Sequence, residues 1–566
     1  MFDHFIFIIY LYLFLLSTLG HGVLFSKIFQ YRFLEKNIGY LGLIGFFSLS
    51  VYSILSSYFI PHNFIHNFCI HFLGITSLVL YIKTNRYRLR QLKYFLILSV
   101  FLLISSYVFK NHDDFPYYHL TYSLNLSENS FIIGTGIFSH GFRTFSSLFY
   151  YHSLLYMPII QFYLFHIGPF FILVFFNFIF IKKIIKNRAS KNIDFVFYFS
   201  LLSLIFVNVV FYRIGEHGTD RSAQILLLII FTIFFELILK KRNPNEDLNQ
   251  INLLILLIFL ASSMKAIYYL YFLIIPILLL NKKMVIFYFK RIKFFLFFIF
   301  LLSISLNLIT NYFNTGCLLY PAKLTCVGSP IWQLPLEEVE KMKIHYEWWS
   351  KAGGGPGYIS EIPKEKYVQN FTWLSNWIDR HFFNKVSDTL LGIIFICFIL
   401  VTILLFFSKK RKKQKIKIPL YIYFIPLLFL LEWFFNHPSM RYGGYVLFAI
   451  PLFMLTSSYV SKIDINFNKV FKISISLIIL SIIIFNFRNI LRINHESKIY
   501  GYDIKSSPFF YVDKVSSEPV YEKDNFRVFT TVDNKQCWAS KTPCSYYKSI
   551  KVENFLWMKV VLRNVE

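Results

Sequence analysis

Residues 110–122 read Lys-Asn-His-Asp-Asp-Phe-Pro-Tyr-Tyr-His-Leu-Thr-Tyr, directly after an apolar run long enough to span a membrane. Adjacent carboxylates Asp113 and Asp114, flanked by His112 and His119, thus stand at the mouth of a hydrophobic helix. A carboxylate pair held at a membrane surface suits general-base chemistry on a lipid-linked substrate, or the holding of a divalent cation such as Mg or Mn. The same pair also suits a purely structural role. Asp ahead of Phe115-Pro116 is a common helix start, so both residues are candidate caps as well as candidate catalytic groups and metal ligands.

Cations recur in further polar clusters. Gly134-Thr135-Gly136 is followed by His140-Gly141-Phe142-Arg143. A later turn reads Tyr212-Arg213-Ile214-Gly215-Glu216-His217-Gly218-Thr219-Asp220-Arg221, Lys265 interrupts two short apolar runs, and Glu432 is followed by His437 and Arg441. Charge near or within apolar helices is costly, so it has a function or a partner. His119, Arg143, Arg213, Asp220, Arg221, Lys265 and Arg441 are therefore candidate substrate-binding residues. Cations would hold the phosphate oxygens of a donor while a carboxylate activates an acceptor hydroxyl.

Each also has a structural alternative. Arg143 suits lipid headgroups or an acidic partner. Arg213, Glu216, Asp220 and Arg221 suit a closed ion-pair network. Lys265 suits snorkelling to the interface, and Arg441 suits a bridge to Glu432. His112, His119, His140, His217 and His437 lack a zinc-binding spacing. Trp348-Trp349 reads as an interfacial belt and Gly353-Gly354-Gly355 as a flexible loop. No Walker motif, GxSxG elbow or Rossmann fingerprint is present.

The chain that must position these groups has 566 residues, 56% hydrophobic and only 16% charged. Its apolar residues come in runs of roughly 20, the length of a membrane-spanning helix, without the period-two alternation of a barrel. This predicts an all-α polytopic membrane protein with about twelve to fourteen spans. The less regular runs are 153–181, which holds Pro158 and Pro169, and the short pair 251–262 and 265–281. The N-terminal run lacks a basic start and a small-residue cleavage site, so it reads as a retained span. The net charge of +28 lies largely in short loops, a positive-inside pattern rather than a nucleic-acid surface.

Basic segments 83–93, 182–191, 240–242, 282–293 and 409–417 are predicted to be cytoplasmic. Counting crossings puts 110–152, 213–221, 313–386, 435–442 and 488–566 on the opposite side, against which Arg488, Arg492 and Lys498 stand as a conflict. The resulting organisation is 1–109, N-terminal spans; 110–152, an outer loop with the acidic motif; 153–312, a helical bundle; 313–386, an outer loop; 387–487, C-terminal spans; and 488–566, a small outer domain. The segment from Pro116 to Glu128 has an apolar stripe and is predicted to lie along the outer membrane surface. Cys317, Cys326, Cys537 and Cys544 all fall in segments placed outside by charge alone, at spacings that permit two local disulfides in an oxidising compartment.

The run His-Asp-Asp-Phe-Pro-Tyr-Tyr-His at 112–119, with Ser139-His140-Gly141-Phe142-Arg143, resembles an uncharacterised family of large bacterial membrane proteins found among surface-polysaccharide genes. Thr315-Gly316-Cys317-Leu318-Leu319-Tyr320-Pro321, Cys537-Trp538 and Pro543-Cys544 add to the likeness. The layout is also similar to GT-C glycosyltransferases, polytopic enzymes that use polyprenyl-phosphate sugars and carry an acidic pair in an early outer loop. That resemblance implies a bacterial inner-membrane enzyme with a periplasmic catalytic face, Asp113 or Asp114 matching the acidic motif, and a lipid-linked sugar donor as partner. It departs in one respect: in GT-C enzymes the acidic loop follows the first span, and here about four spans precede it. An O-antigen-type polymerase and a flippase of lipid-linked oligosaccharide share the many-span layout. A flippase needs polar groups reachable from both faces.

Charge and cysteine placement together predict that both cysteine pairs are oxidised and face away from the cytoplasm. Mass spectrometry of non-reduced peptides should find Cys317–Cys326 and Cys537–Cys544 cross-links. Labelling of Cys537 or Cys544 by a cytoplasm-restricted thiol reagent would reverse the orientation.

Overall fold

The computed structural model describes residues 2–83, 85–190, 193–216, 218–240, 243–278, 294–353, 362–408, 410–411, 419–523, 525–533 and 535–563. The basic segment 282–293, most of 409–417, His217, Gly354 and Gly355 lie outside the described residues.

In lipid every backbone N–H and C=O must be satisfied within its own segment, so long apolar runs become helices. Among the described residues ten helices are long and apolar enough to cross a membrane, and four shorter apolar ones accompany them: Phe195–Val210, Ala266–Leu278, Tyr421–Asn436 and Gly444–Val460. The chain is an all-α polytopic membrane protein. Polar residues at the boundaries start several helices. Asn37 accepts from the Gly39 N–H (3.0 Å), Asn85 from Tyr87 (2.8 Å) and Asp194 from Phe197 (2.9 Å), each satisfying a donor that the first helical turn leaves orphaned.

Small residues let the N-terminal helices meet backbone to backbone. A Cβ added to Gly20 of the Phe2–Ile28 helix would sit 1.7 Å from the Gly74 carbonyl oxygen of the Phe64–Lys83 helix. Such contact replaces the hydrophobic drive that helices lack inside a bilayer.

Four expectations are revised. The run 153–181 is not one span: a short helix ends at Ser153, turns occupy 154–167, and the spanning helix is Gly168–Ser190. Pro158 cannot continue the first helix, whereas Pro169 sits at the second position of the next, where its missing N–H costs nothing. The pair 251–262 and 265–281 is a full-length helix, Pro244–Met264, broken at Lys265 and followed by Ala266–Leu278.

The segment Pro116–Glu128 does not lie on the membrane surface. It forms a π-helical turn, Phe115–His119, running into an α-helix, Leu120–Glu128, and Leu120 to Ser127 are all buried. What covers it is the C-terminal tail. The Trp538 N–H donates to the Pro116 carbonyl (3.1 Å), Thr121 donates to the Trp538 carbonyl (3.2 Å), and Tyr117 packs on Tyr546.

That tail is not a separate domain beginning at 488. The last helix is Phe467–Tyr500, 34 residues, which rises about 50 Å against a hydrocarbon thickness of about 30 Å, so it projects well past the bilayer. Beyond it come two antiparallel hairpins, Ser517–Lys523 with Phe526–Thr531 and Ile550–Phe555 with Met558–Arg563, separated by the Cys537–Cys544 disulfide. Val528, Val552 and Val560 share one apolar core with Tyr122, Phe142, Leu306 and Trp332. Residues 501–566 produced alone should therefore fail to fold. A dispersed amide NMR spectrum from that fragment would contradict the shared core.

Candidate functional site

Four segments remote in sequence each deliver one charge to the same end of the bundle. Asp114 precedes the Phe115–His119 turn. Its backbone N–H donates to His112 Nδ1 (3.2 Å), and its side chain makes no capping hydrogen bond. Asp220 lies in the first turn of the Gly218–Leu239 helix, where the aligned peptide dipoles favour a carboxylate. Lys265 terminates the Pro244–Met264 helix in an extended conformation. Arg441 belongs to the 3-10 turn Met440–Tyr442.

The Arg441 turn is pinned from three sides. The Trp377 indole N–H donates to the Pro438 carbonyl (2.6 Å), the Trp433 indole N–H to the Ser439 carbonyl (2.9 Å), and the Met440 N–H to His381 Nε2 (3.3 Å). The chain leaves the turn through Gly443 at φ +101°, a left-handed conformation that glycine adopts without a Cβ clash.

The guanidinium so placed joins two carboxylates. Arg441 Nε donates to Asp220 and Arg441 Nη2 to Asp114, while Lys265 Nζ donates to the other Asp220 oxygen. Lys265 also lies 4.3 Å above the Tyr442 ring and Arg441 5.7 Å above Trp349, contacts that favour cations. The Asp220 side chain is only 7% exposed. Two anions against two cations leave the group neutral, the condition on which buried charge is tolerated.

The adjacent carboxylates part company. The Asp113 side chain is 79% exposed, with Lys110 at 3.8 Å as its neighbour. Asp113 and Asp114 therefore do not converge on one cation. Among the described residues no group of three or more His, Cys, Asp or Glu is placed to hold a metal ion.

Beside the four charges opens a cavity of about 140 Å³, lined by Asp220, Arg221, Gln224 and Arg441 together with His112, Trp349, His381, Lys385, Ser439, Met440 and Tyr445. The Arg221 guanidinium lies against the Phe211 and Tyr445 rings (4.7 and 4.8 Å) and donates to the Val210 carbonyl (3.3 Å).

Residues 4–448 match a family described as Domain of unknown function (DUF8201). The chain belongs to the DUF8201 family. No curated protein and no solved structure matches it. Asp114, Asp220, Lys265, Arg441 and the whole cavity fall inside the DUF8201 region, while the C-terminal hairpins that cover the acidic segment lie beyond it.

Two predicted residues of this DUF8201 chain are placed away from the cavity. Arg213 pairs with Glu216 (2.7 Å), which also accepts from Arg492 (2.8 Å) of the last helix. Arg488 of the same helix donates to the Val209 carbonyl and lies over Tyr212. The conflict posed by Arg488 and Arg492 thus has a cause: their charges are used inside the protein and carry no topological signal. Arg143 is fully buried, donating to the Gly136 carbonyl (2.9 Å) and to Glu338 (2.8 Å), which Arg563 also approaches (2.7 Å). The Glu432–Arg441 bridge does not form, because Glu432 faces His437 (3.9 Å). Lys385, Gln224 and His381 were missed from sequence. The available signal was a polar residue, Gln224, within a spanning run, and a cation, Lys385, just ahead of another.

His119 abuts the cluster through Asp114 and packs at a tilt against Phe149 (ring centroids 4.7 Å apart). Burial lowers its pKa to about 4 even though Asp114 pulls the other way. Burial also pushes Asp114 upward, but the Arg441 guanidinium outweighs it and holds the carboxyl below its ordinary range. His119 is thus neutral and Asp114 ionised at pH 7. Between pH 6.5 and about 4 the unfolded chain takes up a proton at His119 that the native chain refuses, so stability is full above that window and falls as pH drops through it. Unfolding free energy measured in detergent from pH 7.5 to 4.5 should decline less steeply in His119→Gln than in wild type. Equal slopes would contradict the buried, neutral assignment.

Proposed function

We propose that the protein is a membrane glycosyltransferase that takes a sugar from a polyprenyl-phosphate carrier at the outer, periplasmic face of a bacterial inner membrane, in surface-polysaccharide or glycolipid assembly. The observation that carries this reading is the Asp114–Arg441–Asp220–Lys265 group beside a cavity at one end of a helical bundle. Gathering of acid and base at a single end favours chemistry at one face over alternating access.

Arg441 donates to Asp114 Oδ2, which leaves Oδ1 to receive an acceptor hydroxyl. In the proposed step Asp114 takes the hydroxyl proton, the freed oxygen bonds the anomeric carbon, and the bond from that carbon to the phosphate oxygen breaks. The electron pair leaves on the phosphate, whose charge nearby cations balance. A carboxylate held below its ordinary range is a weak base, which puts proton transfer late, as the leaving bond lengthens. Arg441 and Lys265 fix the carboxylates, so the acid is oriented before substrate arrives.

The two neighbouring aspartates make an internal control. Asp114→Asn should cut polysaccharide assembly by about a hundredfold or more, in a strain lacking the wild-type copy and with protein abundance measured alongside. Asp113→Asn, at an exposed position, should leave it within about twofold. Wild-type output from Asp114→Asn would remove the main support for an enzyme.

A further inference from the structure

Six charged groups meet at the cavity or its edge, and four of them cancel. Asp114 and Asp220 are matched by Arg441 and Lys265. Arg221 and Lys385 remain. Arg221 spends its guanidinium on two aromatic rings and one carbonyl, and no carboxylate among the described residues forms an ion pair with either cation. Both line the cavity. Each therefore brings to this space a positive charge without an ion-pair partner among the described residues, an arrangement that is stable only beside solvent or an anion.

A second feature points to the kind of anion. Gln224 is fully buried and lines the same cavity. Its Nε2 donates to the Arg441 carbonyl (3.3 Å), which fixes the amide orientation, because the flipped form would set oxygen against oxygen. Its Oε1 is buried with no donor. A buried acceptor left unmatched is costly unless a ligand hydroxyl or amine satisfies it. At about 140 Å³ the cavity is below the ~300 Å³ of an ordinary small-molecule site, so it takes a headgroup rather than a whole ligand.

A third feature gives the route of entry. Lys385 stands in the π-helical segment Ile378–Val386, which runs directly into the Ser387–Phe406 helix. Phe383 beside it, and Leu391 and Ile394 further along that helix, are 65%, 65% and 50% exposed, the surface of a helix that faces lipid. One lining residue of the cavity, Lys385, thus stands on an element that continues into a lipid-facing helix.

We propose that Arg221, Lys385 and Gln224 form a headgroup subsite for a membrane-borne phosphate ester bearing a hydroxyl, with Arg221 and Lys385 binding the phosphate and Gln224 Oε1 accepting from the hydroxyl. The assignment separates these residues from Arg441 and Lys265, which hold carboxylates. It rests on the glycosyltransferase reading only for what the lipid does after binding.

The test uses the full chain in nanodiscs of phosphatidylcholine, with equilibrium binding of five probes: a short-chain polyprenyl phosphate carrying a hexose, the same polyprenyl phosphate without sugar, the polyprenol without phosphate, phosphatidylglycerol, and soluble hexose 1-phosphate. The hexose-bearing phosphate lipid should bind and the polyprenol should not. Lys385→Gln and Arg221→Gln should each weaken the lipid by tenfold or more, and Gln224→Leu should weaken it while leaving a polyprenyl phosphate without sugar unchanged. Lys385 is exposed, so its variant tests binding without endangering the fold. Tighter binding of phosphatidylglycerol than of the polyprenyl lipid still supports the subsite and names the bilayer as the source. Hexose 1-phosphate binding as tightly as the lipid, equal binding of the polyprenol, or unchanged affinity in both cation variants overturns it. Asp114→Asn separates the two claims: it should keep lipid binding, so a wild-type protein that binds the lipid but transfers no sugar refutes the enzyme and leaves the subsite standing.

Discussion

One guanidinium grips two carboxylates that the sequence holds far apart. Arg441 is 327 residues from Asp114 and 221 from Asp220, and Lys265 closes the same group from a fourth segment. Asp220 is nearly excluded from solvent, so its charge is sustainable only with these partners. Removing one partner of a buried pair costs about 3–5 kcal/mol. That requirement fixes how the helices Pro244–Met264, Gly218–Leu239 and Gly444–Val460 end relative to one another. The break at Lys265, the glycine at 443 and the paired tryptophans 377 and 433 are the local means of meeting it.

The second constraint is cover. A carboxylate at the end of a membrane helix is open to water unless something lies over it, and here the C-terminal strands and the Cys537–Cys544 loop do so. Their contacts with Pro116 and Thr121, together with the Ser147–Ser153 helix, bury Leu120 to Ser127. Burial in turn keeps His119 neutral, so the Asp114 carboxylate has a strong cation, Arg441, on one side and an uncharged ring on the other.

Much of the scaffold was legible because lipid imposes a simple rule: apolar runs become helices, and the unpaired charge within them has to be explained. Asp114, Asp220, Lys265 and Arg441 stood out for that reason. What the sequence did not carry was partner choice. Arg213 and Arg221 belong to one short motif, yet one closes on Glu216 and the other faces the cavity. Arg143, read as a ligand-binding cation, is used up by Glu338. The stripe along Pro116–Glu128 was real, but it faces protein rather than lipid, because periodicity reports an apolar face without saying what covers it. Lys385 and Gln224 were overlooked as single polar residues at or inside spans, visible only once the cavity they share is known.

The central claim is that Asp220 and Arg441 are energetically one unit. A double-mutant cycle on unfolding free energy in detergent, with Asp220→Asn, Arg441→Met and both together, tests it most directly. The account predicts a coupling of at least about 1 kcal/mol, with the double variant more stable than the sum of the two losses. Losses that add to within about 0.5 kcal/mol would mean that the two residues act independently, and the arrangement of charges described here would be wrong.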